Sequence, residues 1–121
     1  MSDWPVEEIP DTDSLYRSIH QQWVKPDSIE PAAFRDDRMS VDWARYSTPQ
    51  EARARRKRPE DNAVVQLIAG QVRSLPSQHV EHTPIVENRS HSEVIGEKTP
   101  RVRMELARIC ILVIALDQSP A

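Results

Sequence analysis

The residues of this chain that could do chemistry fall in three short stretches. Tyr16, Arg17 and His20 come early, Ser40 and Asp42 follow, and Asn88, His91 and Glu93 come late. Brought together on a small sheet, they would offer an arginine to hold an anion, two histidines to move protons, and a carboxylate. The competing expectation is structural: Arg17 pairs with Asp42 at the surface and the histidines cap turns. Spacing does not choose between the two, because bringing distant stretches together is the work of the fold.

Three other groups have recognisable chemistry. Arg53, Arg55, Arg56, Lys57 and Arg58 put five positive charges into six positions, a run that can contact phosphates of nucleic acid. No aromatic residue interleaves with them as a single-strand binder needs, so a solvated helix end is the favoured reading and nucleic acid is not the expected partner. His79 and His82 have H-x-x-H spacing, which on a strand sends the two rings to opposite faces; no metal site is expected from them. Cys110 sits in an apolar run, where a thiol packs as a small hydrophobe with its pKa pushed up.

The elements that must position these residues follow from periodicity and punctuation. Residues 15–19 and 39–43 alternate as strands; the second does so strictly, with Met39, Val41 and Trp43 inward and Ser40 and Asp42 outward. Lys25, Pro26, Asp27 and Ser28 form a turn region, and residues 31–34 are expected to return to extended structure. Thr48-Pro49-Gln50-Glu51 has the capping-box form, so a helix should start at Pro49 and stop before Pro59. Val64, Val65 and Leu67 suit a strand up to Ala69, followed by a helical turn, and residues 79–82 and 90–95 read as short strands around a turn at Pro84 and Asn88. Thr99-Pro100 repeats the cap-then-proline start, opening a helix expected to run to Leu116. Val102, Leu106, Ile109 and Val113 form its inner stripe, with Arg101, Arg103, Glu105 and Arg108 in solvent.

Strands scattered among helices without a repeat indicate an α+β fold, a small mixed sheet packed by a C-terminal helix and one or two shorter helices. A chain of 121 residues supports one hydrophobic core. We expect an acidic, disordered tail over residues 1–12, a single domain over 13–117 and a disordered end over 118–121. Two glycines are too few for a phosphate-cradling glycine loop, and no cofactor motif is present. A net charge of −3 argues against whole-surface attraction to nucleic acid or anionic lipid. The longest apolar run, residues 109–116, is far short of the roughly 20 residues that span a bilayer, so no membrane association is expected. One cysteine and a first segment without secretory features point to the cytoplasm.

The stretches Leu15-Tyr16-Arg17-Ser18-Ile19-His20, Ala33-Phe34, Met39-Ser40-Val41-Asp42-Trp43 and Pro84-Ile85-Val86-Glu87-Asn88-Arg89-Ser90-His91 resemble a pattern in small bacterial proteins, over roughly residues 14–96. That resemblance implies no particular activity. A fainter one is to ADP-ribosyltransferase-like domains. It implies a nucleotide- or NAD-processing enzyme in which Arg17 or His20, Ser40 and Glu93 take the family's roles in chain order. The leading expectation is different: a non-enzymatic accessory component that binds another protein or a second copy of itself. It rests on residues 109–116, which are apolar around more of a helix than a one-sided core needs.

Overall fold

In a computed structural model, which describes residues 3–116, the chain forms a six-stranded sheet with three helices. The strands are β1 (Ser14–His20), β2 (Arg38–Trp43), β3 (Asn62–Ile68), β4 (His79–His82), β5 (His91–Ile95) and β6 (Ile111–Ile114). The helices are α1 (Pro49–Ala54), α2 (Ala69–Arg73) and α3 (Pro100–Ile109). The sheet order is β4-β5-β2-β1-β3-β6, leaving β4 and β6 as edges. The α+β class expected from sequence is what forms. Every strand pairing is antiparallel, however, so the sheet is not mixed.

Alternation along the strands separates two faces. Leu15, Ile19, Met39, Val41, Trp43, Val65, Leu67 and Val94 are buried on one face, where they join Phe34, Val102 and Leu106 in the main core. The α3 helix packs on the 3-10 turn Pro31–Phe34, which closes that core. Proline at the first position of this turn fixes a helical φ, so residues 31–34 coil where extended structure was expected. Tyr16, Ser18, Ser40, Asp42, His91 and Glu93 fall on the opposite face, and α1 lies over its β1 and β3 end. Both threonine caps form. Thr48 and Glu51 make the reciprocal capping box of α1, and the Thr99 hydroxyl accepts the Val102 amide at 3.2 Å.

Further expectations are corrected. The last helix does not reach Leu116: it ends at Ile109, Cys110 is extended, and residues 111–114 form β6 against β3. Ile-Leu-Val-Ile has three β-branched residues and is equally apolar in either conformation, and the open edge of β3 offers it a ladder that a longer helix would forgo. Of the expected inner stripe, Val102 and Leu106 are buried, Ile109 is half-buried and Val113 is exposed. Arg101 and Arg108 are exposed, but Arg103 and Glu105 are half-buried.

The segment before β1 is not a loose tail. Ile9 is 3% exposed within the core, and the Glu7 amide donates to His82 Nδ1 at 3.0 Å. The expected C-terminal end, residues 118–121, lies outside the described residues. Finally, the basic run is only partly helical: α1 stops at Ala54, so Arg55, Arg56, Lys57 and Arg58 occupy the loop that follows. Among the described residues, no helix is long and apolar enough to cross a membrane.

Candidate functional site

The polar face of the sheet carries a cleft of about 490 Å³ where β1, β2 and β5 meet the loop after α1. Its walls include Arg17, Ser40, Asp42 and His91 from the strands, and Arg55 and Arg56 from the basic run. Tyr16 and Asn88 line it as well. The structure thus merges two stretches that had pointed to separate chemistries. Strand register explains part of this: Tyr16 faces Asp42 across β1 and β2, and Asp42 faces His91 across β2 and β5.

Asp42 is the hub of a fixed network. Its Oδ1 accepts from Asn88 Nδ2 at 2.8 Å and from the buried Ser90 hydroxyl at 2.8 Å, and it pairs with Arg55 Nη1 at 3.4 Å. His91 is held from behind. The Thr83 carbonyl can only accept, so the proton sits on His91 Nδ1, 2.7 Å away, and Nε2 is left as an acceptor 3.3 Å from the Ser40 hydroxyl. Ser40 and His91 therefore present a hydroxyl and an imidazole nitrogen to the cleft in one set geometry.

Arg17 sits where β1 and β2 part. Strand pairing between them ends at Tyr16 and Asp42, and the guanidinium crosses the gap beyond. Its Nη1 donates to Ser40 O at 2.9 Å, while Nη2 and Nε donate to Ala33 O at 2.9 and 3.3 Å. The nearest carboxylate is the exposed Asp36, at 3.7 Å. Burial holds the Arg17 guanidinium down to about 10, Asp36 opposes that shift, and Arg56 adds to it. This cation is more desolvated than compensated.

Two residues of the expected set lie elsewhere. His20 faces Asn62 at the far end of β1 and caps the following turn, accepting the Gln22 amide on Nδ1 at 3.1 Å. Glu93 is opposite Ser40 in register but is tied to Arg38 by two hydrogen bonds of 3.1 and 2.9 Å, which hold its carboxyl below the ordinary range. The constellation implied by likeness to ADP-ribosyltransferases is therefore not assembled, since Arg17 and Ser40 line the cleft without His20 or Glu93. The surface pair of Arg17 with Asp42 is not formed either, because Arg55 takes Asp42. Of the rest of the basic run, Arg53 donates to Asn62 O at 2.9 Å and Arg58 pairs with Asp61 at 3.1 Å. Of the two residues that orient Asp42, Asn88 belongs to the expected set, whereas Ser90, placed by the sequence at the start of a strand, carried no sign of pairing with a residue 48 positions away.

Among the described residues, no group of three or more His, Cys, Asp or Glu side chains is placed to hold a metal. His79 is exposed and His82 buried, as opposite faces of a strand require.

The second feature is the β6 edge. Ile111, Leu112 and Val113 are 54%, 49% and 38% exposed on the outermost strand. Leu112 also borders a hollow of about 410 Å³ with Cys110, Ala107 and the 24–29 turn. Burial pushes the Cys110 thiol up to about 11, so it is a poor nucleophile at neutral pH. No family model, curated protein or solved structure matches the chain.

Proposed function

We propose that this protein acts by protein–protein interaction, and that its β6 edge pairs with the β6 edge of a second copy. The observation that supports this is the exposed, uncharged strand itself. Ile111, Leu112, Val113 and Ile114 offer an unpaired row of main-chain groups flanked by apolar side chains on both faces, with no proline or lysine to block pairing. The other edge is different. In β4 the exposed positions are His79 and Glu81, the polar guard usual on a solvated edge.

A second copy suits this edge for a reason of symmetry. An antiparallel strand is complementary to itself under a twofold axis, so two uncharged β6 strands meet without like-charge repulsion and continue the sheet across the pair. Each copy would also cover the other's exposed Ile111 and Val113, removing the apolar surface that a lone chain leaves in water.

Light scattering coupled to size exclusion tests the reading. The expected mass is twice that of the chain, and Leu112→Lys, which sets a charge on the pairing edge, should yield a monomer with an unchanged far-UV spectrum. A monomeric parent chain sinks the proposal, including one that pairs only with a different protein. So does a Leu112→Lys variant that remains a dimer.

A further inference from the structure

The opening between β1 and β2 has a consequence for ligand binding that is independent of assembly through β6. In an antiparallel pair, alternate residues turn both N–H and C=O toward the neighbouring strand. In β1 the even-numbered residues face β2: the Ser14 carbonyl accepts the Ala44 amide at 3.0 Å, and Tyr16 pairs with Asp42. The odd-numbered side faces β3, as the bond from the Ala69 amide to the Asp13 carbonyl at 2.9 Å shows just before the strand begins. Ser18 and Ser40 stand where the next hydrogen-bonded pair belongs, yet the strands are no longer paired there. The Ser40 carbonyl is taken by Arg17 Nη1. The amides of Ser18 and Ser40 are left directed into the gap with no strand partner.

Donors thus converge on one place in the sheet. They are two main-chain N–H groups, the Arg17 guanidinium bridging the gap, and the Ser40 hydroxyl, whose proton lies toward His91 Nε2 until a ligand oxygen takes it. Oriented amides and a desolvated cation in a concavity make an anion site. Arg56 lines the same cleft and has no ion pair among the described residues, whereas Arg55 is engaged by Asp42 and Ser47. Asp36 lies 3.7 Å from Arg17, and Asp42 and Glu87 also line the cleft, but Asp42 is held by Asn88, Ser90 and Arg55. Two guanidinium groups with donors arriving from several directions suit a tetrahedral oxyanion better than a planar one. The rest of the cleft mixes polar residues, Asp42, Glu87 and Asn88 among them, with apolar surface. Tyr16 and the partly exposed Ile85 line it, with room for a body of mononucleotide size in about 490 Å³.

We propose that the gap between β1 and β2 receives the phosphate of a small phosphorylated ligand, bound by the Ser18 and Ser40 amides, Arg17 and Arg56, with the ligand's body against Tyr16 and Ile85. The site is a binding site; the proposal involves no bond making or breaking.

Titration calorimetry on the full chain tests this with four probes: inorganic phosphate, AMP, adenosine and a short single-stranded oligonucleotide. AMP is expected to bind saturably, phosphate to compete with it, and adenosine to bind at least tenfold more weakly, as expected for loss of charge-assisted hydrogen bonds worth about one decade or more. Arg56→Gln changes an exposed side chain that has no ion pair among the described residues and should weaken AMP about tenfold without changing the melting temperature. Ser40→Ala should weaken it by a smaller factor, and it keeps the backbone amide. No saturable binding of AMP or phosphate at millimolar concentration overturns the proposal. So does adenosine binding as tightly as AMP, or AMP affinity unchanged in both variants. Oligonucleotide binding without AMP binding would overturn it too, in favour of a polyanion surface on residues 53–58.

Discussion

Lys98 shows how a single buried charge can make stability depend on pH. Its ammonium donates to the carbonyls of Gly96 at 2.8 Å, Val94 at 3.1 Å and Asp37 at 3.4 Å, and the residue is almost fully buried. Burial pulls its pKa down from the ordinary lysine range to about 8, with Asp37 opposing the shift. The unfolded chain therefore holds this proton more tightly than the native state between about pH 8 and the ordinary lysine value. Stability contributed at Lys98 should accordingly rise with pH through that window and be flat below pH 7. Denaturant titrations of the parent chain and Lys98→Met across pH 6.5 to 10.5 would read this: the parent should gain on the variant only above about pH 8. A pH-independent difference would mean that Lys98 titrates alike in both states. Lys98 is not legible in the sequence, and of the Asp42 network only Asn88 belongs to the set the sequence picks out. Alternation correctly put Ser40 and Asp42 outward, but which arginine would meet Asp42 depended on a loop beyond α1, and no local pattern encodes that.

The elements were read best where a cap or strict alternation set them. Both Thr-Pro starts became helices, and β1, β2 and the passage from β3 into α2 lie close to where the pattern put them. Thr99 is the cap with most at stake, because α3 carries Val102 and Leu106 into the core. Removing its hydroxyl in Thr99→Ala leaves the Val102 amide without its partner and should cost about 1 kcal/mol, seen as a melting temperature lower by a few degrees. Thr99→Ser should restore most of the loss, and an unchanged Thr99→Ala melt would show that water caps the helix equally well. The failure at residues 110–114 has a physical origin. Periodicity assigned this run to a helix because Ile109, Val113 and Leu116 repeat at helical spacing, yet a four-residue apolar stretch satisfies a strand just as well. The decision came from β3, whose open edge is a tertiary feature. The same inference that was drawn from excess apolar surface on a helix passes to the exposed β6 edge, which is why the interaction reading outlives the element that first suggested it.

At the scale of the whole molecule, the first segment acts as a strap, and its role depends on contacts that no local pattern records. Acidic residues and prolines, with Trp4, Val6 and Ile9 at no regular strand or helix period, gave it the composition of a tail. In the fold it crosses the end of the sheet beside β4 and is fastened along its length. The Arg89 guanidinium stacks 5.0 Å from the Trp4 ring, Glu7 accepts from the Tyr46 hydroxyl, and Ile9 enters the core. The Gly70 amide donates to Asp11 O at 2.8 Å, and Arg73 pairs with the Asp11 carboxylate at 2.7 Å. His82 secures the middle: Nδ1 accepts the Glu7 amide and Nε2–H donates to Arg89 O at 2.7 Å, so one neutral imidazole joins the strap to the loop before β5. Deleting residues 1–9 removes the Ile9 side chain from the core and leaves the buried Nδ1 of His82 without its donor. Burial of one large aliphatic side chain is worth about 1.5–3 kcal/mol, and an unsatisfied buried polar atom adds about 1–3 kcal/mol to the loss. Against a typical small-domain stability of about 5–15 kcal/mol, the deleted chain should still fold, with a clearly lower urea midpoint. His82→Leu in the full chain should lower the midpoint by less, because Ile9 can stay in place. An unchanged midpoint in the deletion would show that the contacts of Trp4, Glu7 and Ile9 do not stabilise the domain.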